Sequence, residues 1–233
     1  MYIDLRHAML DEFIAFVFDH PVVVREYTPD ADGMIRYDPD APKEWYWEEE
    51  LTVDLDPSRQ VALLTELFRG AATLCWRFSP EQLDQGFWFV FGAGGEDYFT
   101  RFLAEGVVDW PAREACIEAI YNLYAELFAH EWVESAAFML WDILLDRLRS
   151  LDDGATVCVL PPERHVADAM FRTLRRILAL PVAECQHAAL HGLGHLRHPA
   201  TASAVQEFLD SRPSLDPELR QYAEWVLEGE EIL

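Results

Sequence analysis

Basic residues, cysteines and long apolar runs are all scarce in this chain, and each shortage removes a class of function. Lysine and arginine together number 18 against 42 aspartates and glutamates, a formal net charge of −24, with a sequence pI near 4.5. A field of that sign repels phosphate, which disfavours DNA, RNA and anionic membranes as partners. The four cysteines, Cys75, Cys116, Cys158 and Cys185, lie far apart with no CxxC spacing. They read as reduced, buried small hydrophobes rather than a disulfide framework or a zinc site. No stretch reaches the roughly 18 uninterrupted apolar residues of a membrane span. The opening MYIDLRHAMLDEF carries acids where a secretion signal has a basic start and an apolar run, so a cytoplasmic location is expected.

Catalytic signatures are equally sparse. There is no GxSxG elbow, and GAGGED at residues 92–97 lacks the Gly-Lys-Ser/Thr ending of a phosphate-binding loop. Asp30, Asp32 and Asp38 do not complete a calcium loop. The run His130-Glu131-Trp132-Val133-Glu134 approaches the HExxH zinc-peptidase pattern but lacks the second histidine, and Glu131 and Glu134 suit a helix start, where carboxylates complement the dipole. No cofactor is expected from these patterns.

What is present is apolar, aromatic and helical in its periodicity. With 51% hydrophobic and 13% aromatic residues the chain is not disordered, and 233 residues suffice for one large domain or two packed ones. Residues 8–19 form an amphipathic helix that Pro21 ends. From 22 to 55 the helical period breaks down. VVVREY and WYWEEELTVDL favour extended structure around the turn-rich DADGMIRYDPDAP, which predicts an irregular or hairpin segment laid against helices. Helical patterns return at 57–76, 80–91, 96–105, 111–128, 131–150 and 164–179, several with a proline after a plausible cap, as at Asp56-Pro57 and Ser79-Pro80. The organisation expected is a front of residues 1–56 and an all-α body of residues 57–233, with an internal boundary near 151–163, where VCVL suggests a short strand.

The most informative stretch runs from Pro181 to Leu209 and predicts two amphipathic helices joined at Pro199. At about 100 degrees per residue, Val182, Cys185, Leu193 and Leu196 fall within about 40 degrees of Ala189 and form the apolar stripe. Glu184, His187, His191, His195 and His198 share the opposite face, so the histidines are expected to point away from the core of their own helix. The second helix turns Ala204, Val205, Phe208 and Leu209 inward. A third, capped by Asp216-Pro217, carries Leu219, Tyr222, Ala223, Val226 and Leu227 in its stripe.

Pro181, the AALHGLGHLRHP run with its small residues Ala188, Ala189, Gly192 and Gly194, and the dozen-residue helix that follows resemble a HEAT-type helical repeat. Related spacing in VADAMFRTLRRILALP and LRQYAEWVLEG extends the resemblance over about the last third of the chain. It implies a right-handed α-solenoid, a HEAT-like array whose usual role is protein binding.

Two function classes follow. One is a noncatalytic interaction module, of the immunity or antidote kind or an adaptor, that captures a basic protein partner. Trp45, Tyr46 and Trp47 beside Glu48, Glu49 and Glu50 have the composition of an aromatic hot spot with an acidic rim. The other is a metal-dependent enzyme on the histidine-rich helix. His187 with His191, or His191 with His195, stands four residues apart and can share an ion, with Glu184 or a carboxylate from a facing helix completing the set. All three histidines do not easily share one ion, because His187 and His195 are separated by about 12 Å of helical rise.

Overall fold

A computed structural model describes residues 1–23, 43–47, 51–93, 99–104, 106–131, 133–150 and 164–229. Outside these residues lie Glu48, Glu49 and Glu50, the DADGMIRYDPDAP turn region with Asp30, Asp32 and Asp38, most of GAGGED, and Cys158 with VCVL. The described chain is mostly helical, as expected. It runs β1 (Tyr2–Asp4), α1 (Leu10–Phe18), β2 (Thr52–Asp54), α2 (Pro57–Arg69), α3 (Pro80–Trp88), α4 (Arg101–Ala104), α5 (Trp110–Leu123), α6 (Glu134–Ser150), α7 (Arg164–Leu178), α8 (Ala183–Leu196), α9 (Thr201–Asp210) and α10 (Pro217–Glu228).

Capping chemistry sets several of these starts. The Asp56 carboxylate accepts from the Ser58 and Arg59 amides at 2.9 and 3.2 Å, and Pro57 fills the first turn of α2. Asp216 caps α10 in the same way, and Ser79 with Gln82 forms a capping box on α3. Where the structure departs from the expected helices, backbone hydrogen bonding changes type. The 57–76 pattern breaks at Gly70 into a 3-10 turn over Ala71–Trp76, and the helix from Trp110 ends in a π turn over Tyr124–Phe128.

Most of the VVVREY arm and the turn of the expected irregular or hairpin segment lie outside the described residues; among those described, the strands form a parallel pair. β2 aligns with β1, Tyr2 opposite Thr52 and Asp4 opposite Asp54. A parallel pair needs a long crossover, and here the connection carries α1. With only three residues, β1 is too short to show an alternating pattern in the sequence.

Buried apolar side chains form one cluster from Leu5 to Val226. Within it α2 packs on α5, α5 on α7, α7 on α8, and α8 on α6 and α10, while α1 lies on α2 and α3. Helix α8 is therefore covered on several sides, and its small residues let neighbours approach closely. A Cβ built at Gly192 would sit 2.7 Å from Leu174 Cδ2 and 2.8 Å from Trp141 Cγ. No described helix is long and apolar enough to cross a membrane.

Candidate functional site

The histidines of α8 face away from its apolar stripe, and the rest of the fold comes to meet them. α6 brings Phe138 and Asp142, one turn apart, against one flank, and α10 brings Tyr222 against another. His191 is 1% exposed. Its Nε2 lies 2.8 Å from Asp142 Oδ1, its Nδ1 lies 2.8 Å from the Tyr222 hydroxyl, and the Phe138 ring covers it at 4.1 Å between centroids. A buried imidazole with partners on both nitrogens meets the requirement that buried polar groups be hydrogen-bonded.

His195, one turn further along α8, points its Nε2 at the same carboxylate oxygen from 3.2 Å. The side chains of His195 and Asp142 remain 22% and 18% exposed, whereas that of His191 is 2% exposed, so the cluster opens on the His195 side. Donor atoms of Asp142, His191 and His195 all lie within 4.8 Å of one another. Among the described residues, these three could hold a metal ion.

His187, one turn earlier, does not join that set. Its ring stands edge-on to Tyr222 at 4.2 Å and to Phe138 at 5.3 Å, and its buried Nε2 has no hydrogen-bond partner among the described residues. Burial, and secondarily the neighbouring His191, lower its pKa below the ordinary imidazole value and hold the ring neutral. Burial, reinforced by the Asp142 carboxylate, raises the pKa of Tyr222, so its hydroxyl keeps its proton.

His198 leaves the stripe altogether. α8 ends at Leu196, and Arg197 adopts a left-handed conformation at φ 48° just before Pro199. His198 Nδ1 accepts the Ala200 amide at 3.1 Å, so Nε2–H donates to Asp168 at 2.9 Å, and the ring stacks on Phe171. Both ring nitrogens serve the α7–α9 joint.

Glu184 is exposed and stands at the other end of the face, on a cleft of about 490 Å³ between α8 and α10. Its walls include His187, Tyr222 and Trp225, and among the described residues it carries the carboxylates of Glu184, Asp216 and Glu218 with no lysine or arginine. Trp225 is 41% exposed there.

The aromatic trio of the front segment divides. Tyr46 is buried, and Trp45 lies flat on His20 at 3.8 Å between centroids and packs on Phe16 and Phe89. His20 is itself tied to the Phe16 carbonyl through Nε2. Trp47 alone of the three stays exposed.

Sequence reasoning missed Asp142 and the polar end of Tyr222. Asp142 did leave a signal, a lone carboxylate inside the apolar run FMLWDILL of α6. A charged residue at a core-facing helical position needs a partner, and two histidines supply it. The Tyr222 hydroxyl left none, because the residue fits the apolar stripe of α10.

These features define a helical protein with a histidine–carboxylate cluster set beside an acidic, aromatic cleft. Comparison with protein-family models, characterised proteins and solved structures finds no match for the chain.

Proposed function

We propose that the protein is a noncatalytic interaction module whose C-terminal, HEAT-like helical pairs present the α8–α10 cleft to a basic protein partner, as an immunity protein, antidote or adaptor does. The observation that carries this reading is the make-up of the cleft, with Trp225 and Tyr222 on its walls and Glu184 and Glu218 among its carboxylates. A guanidinium or ammonium group entering it would meet an aromatic face and opposite charge together, a contact worth about 0.5–2 kcal/mol for the cation–π part alone. The net charge of −24 adds a long-range field that speeds encounter with a cationic surface and weakens with salt.

The test is calorimetric titration of the full chain with an arginine-rich peptide at low and high salt. Diffuse attraction to the acidic surface would survive any single substitution, so the variants decide. Trp225→Ala and the pair Glu184→Gln/Glu218→Gln should each weaken binding at least about tenfold, the loss of about 1.4 kcal/mol. Trp47→Ala should leave it unchanged. Equal binding by all variants, or loss confined to Trp47→Ala, would overturn the assignment to this cleft.

A further inference from the structure

The cleft leaves the neighbouring cluster unexplained, and that cluster carries an inference independent of it. We infer that Asp142, His191 and His195 form a binding site for a divalent first-row transition metal of the zinc class. Two imidazoles and one carboxylate are the donor set such ions take, and a His-x3-His pair on one helix turn is a standard way to aim two Nε2 atoms at one point. Both Nε2 atoms here converge on one oxygen of Asp142, at 2.8 and 3.2 Å. Tetrahedral ligands on bonds of about 2.0–2.1 Å stand about 3.3 Å apart, so a small opening of the His191–Asp142 contact admits an ion.

The surroundings favour this over a purely structural hydrogen-bond cluster. Coordination requires a lone pair on each Nε2, which moves the ring hydrogen to Nδ1. For His191 the acceptor of that hydrogen is already in place, the Tyr222 hydroxyl oxygen 2.8 Å from Nδ1. An outer partner on the second imidazole nitrogen is the arrangement that fixes tautomer and ring orientation at metal sites. Phe138 covers the buried side, while the partly exposed His195 leaves an entry path. Three protein donors leave a fourth position for water, the pattern of an open site rather than a closed structural one. No redox step or proton transfer to a substrate is implied.

The experiment is titration of the full chain, stripped with chelator, by zinc and separately by cobalt, whose visible absorption reports coordination. One equivalent should bind at pH 7.5. His195→Ala should lower affinity at least tenfold. This variant removes the more exposed histidine and leaves buried His191 its two partners, so a circular-dichroism melt can verify that it folds. Asp142→Asn, nearly isosteric, should also weaken binding, and His187→Ala should not. Absence of stoichiometric binding by the wild-type chain would overturn the site. So would undiminished affinity in folded His195→Ala, or loss in His187→Ala equal to that in His195→Ala.

Discussion

The layer around Trp45 and the network around His191 are both built of aromatic rings and histidine, yet they end as opposite kinds of interior. In the first, Phe16, His20, Trp45, Tyr46 and Phe89 meet ring to ring, and the histidine is held by a backbone carbonyl and a flat indole. In the second, His191 and His195 meet a carboxylate, and His191 also meets a phenol. The difference lies in what the distant element contributes. α3 and the π turn after it bring Phe89 to the first layer, whereas α6 and α10 bring Asp142 and Tyr222 to the second. A histidine's own helix does not decide whether it becomes a packing ring or a polar centre. The residue arriving from elsewhere in the chain does.

The sharpest way to break the comparison is to empty each layer of its distant contributor. Phe89 is 4% exposed and touches Phe16, Trp45, Tyr46 and Phe99. Phe89→Ala should therefore cost about 3–5 kcal/mol, as truncation of a buried aromatic does through lost transfer energy and the cavity left behind. Equilibrium urea unfolding measures it. A loss under about 1 kcal/mol would mean that the front segment peels away from the helical body without weakening it.

In the histidine network the matching change removes one atom. Tyr222→Phe keeps the ring that packs on His187 and deletes the hydroxyl beside His191 Nδ1. Leaving that buried nitrogen without a partner should cost about 1–3 kcal/mol. The ordering is the informative part: a polar interior should lose less from a one-atom deletion than an aromatic interior loses from a ring. If Tyr222→Phe unfolds at the wild-type urea midpoint, the hydroxyl is not a structural partner of His191.

Much of this was legible in the sequence and the remainder was not, for identifiable reasons. The helical content, the proline-marked starts at Pro57, Pro80 and Pro217, and the separation of the α8 histidines from its apolar stripe follow from period and capping, which are local properties. The parallel pairing of β1 with β2 joins strands about fifty residues apart and leaves no local trace. The same holds for Asp142 reaching His191 across 49 positions. The opposite-face rule correctly turned His191 away from the stripe of α8 but did not indicate that α6 and α10 would bury it. A helix packed on several sides has no solvent face at its centre.

The smallest expected effect concerns His187, which sits between the two kinds of interior, with aromatic rings on its flanks and a buried nitrogen that has no partner among the described residues. Its pKa is lowered in the folded state, chiefly by burial. The unfolded chain, titrating near the ordinary value of about 6.5, therefore binds more protons than the folded chain at and just below that pH. Stability rises with pH wherever the unfolded state holds the extra proton, so this group's contribution is complete above about pH 7. It is lost as pH falls through the unfolded value towards the lowered folded one. The thermal midpoint of chelator-treated wild-type protein should fall between pH 7.5 and 5.5, and His187→Gln, which has no titrating ring, should fall by less over the same interval. Because the ring is only partly buried, the difference should be the smallest of the three effects. Identical slopes in the two proteins would show that His187 protonates as readily in the fold as outside it, and the ring would then be better described as lining the cleft than as part of the buried network.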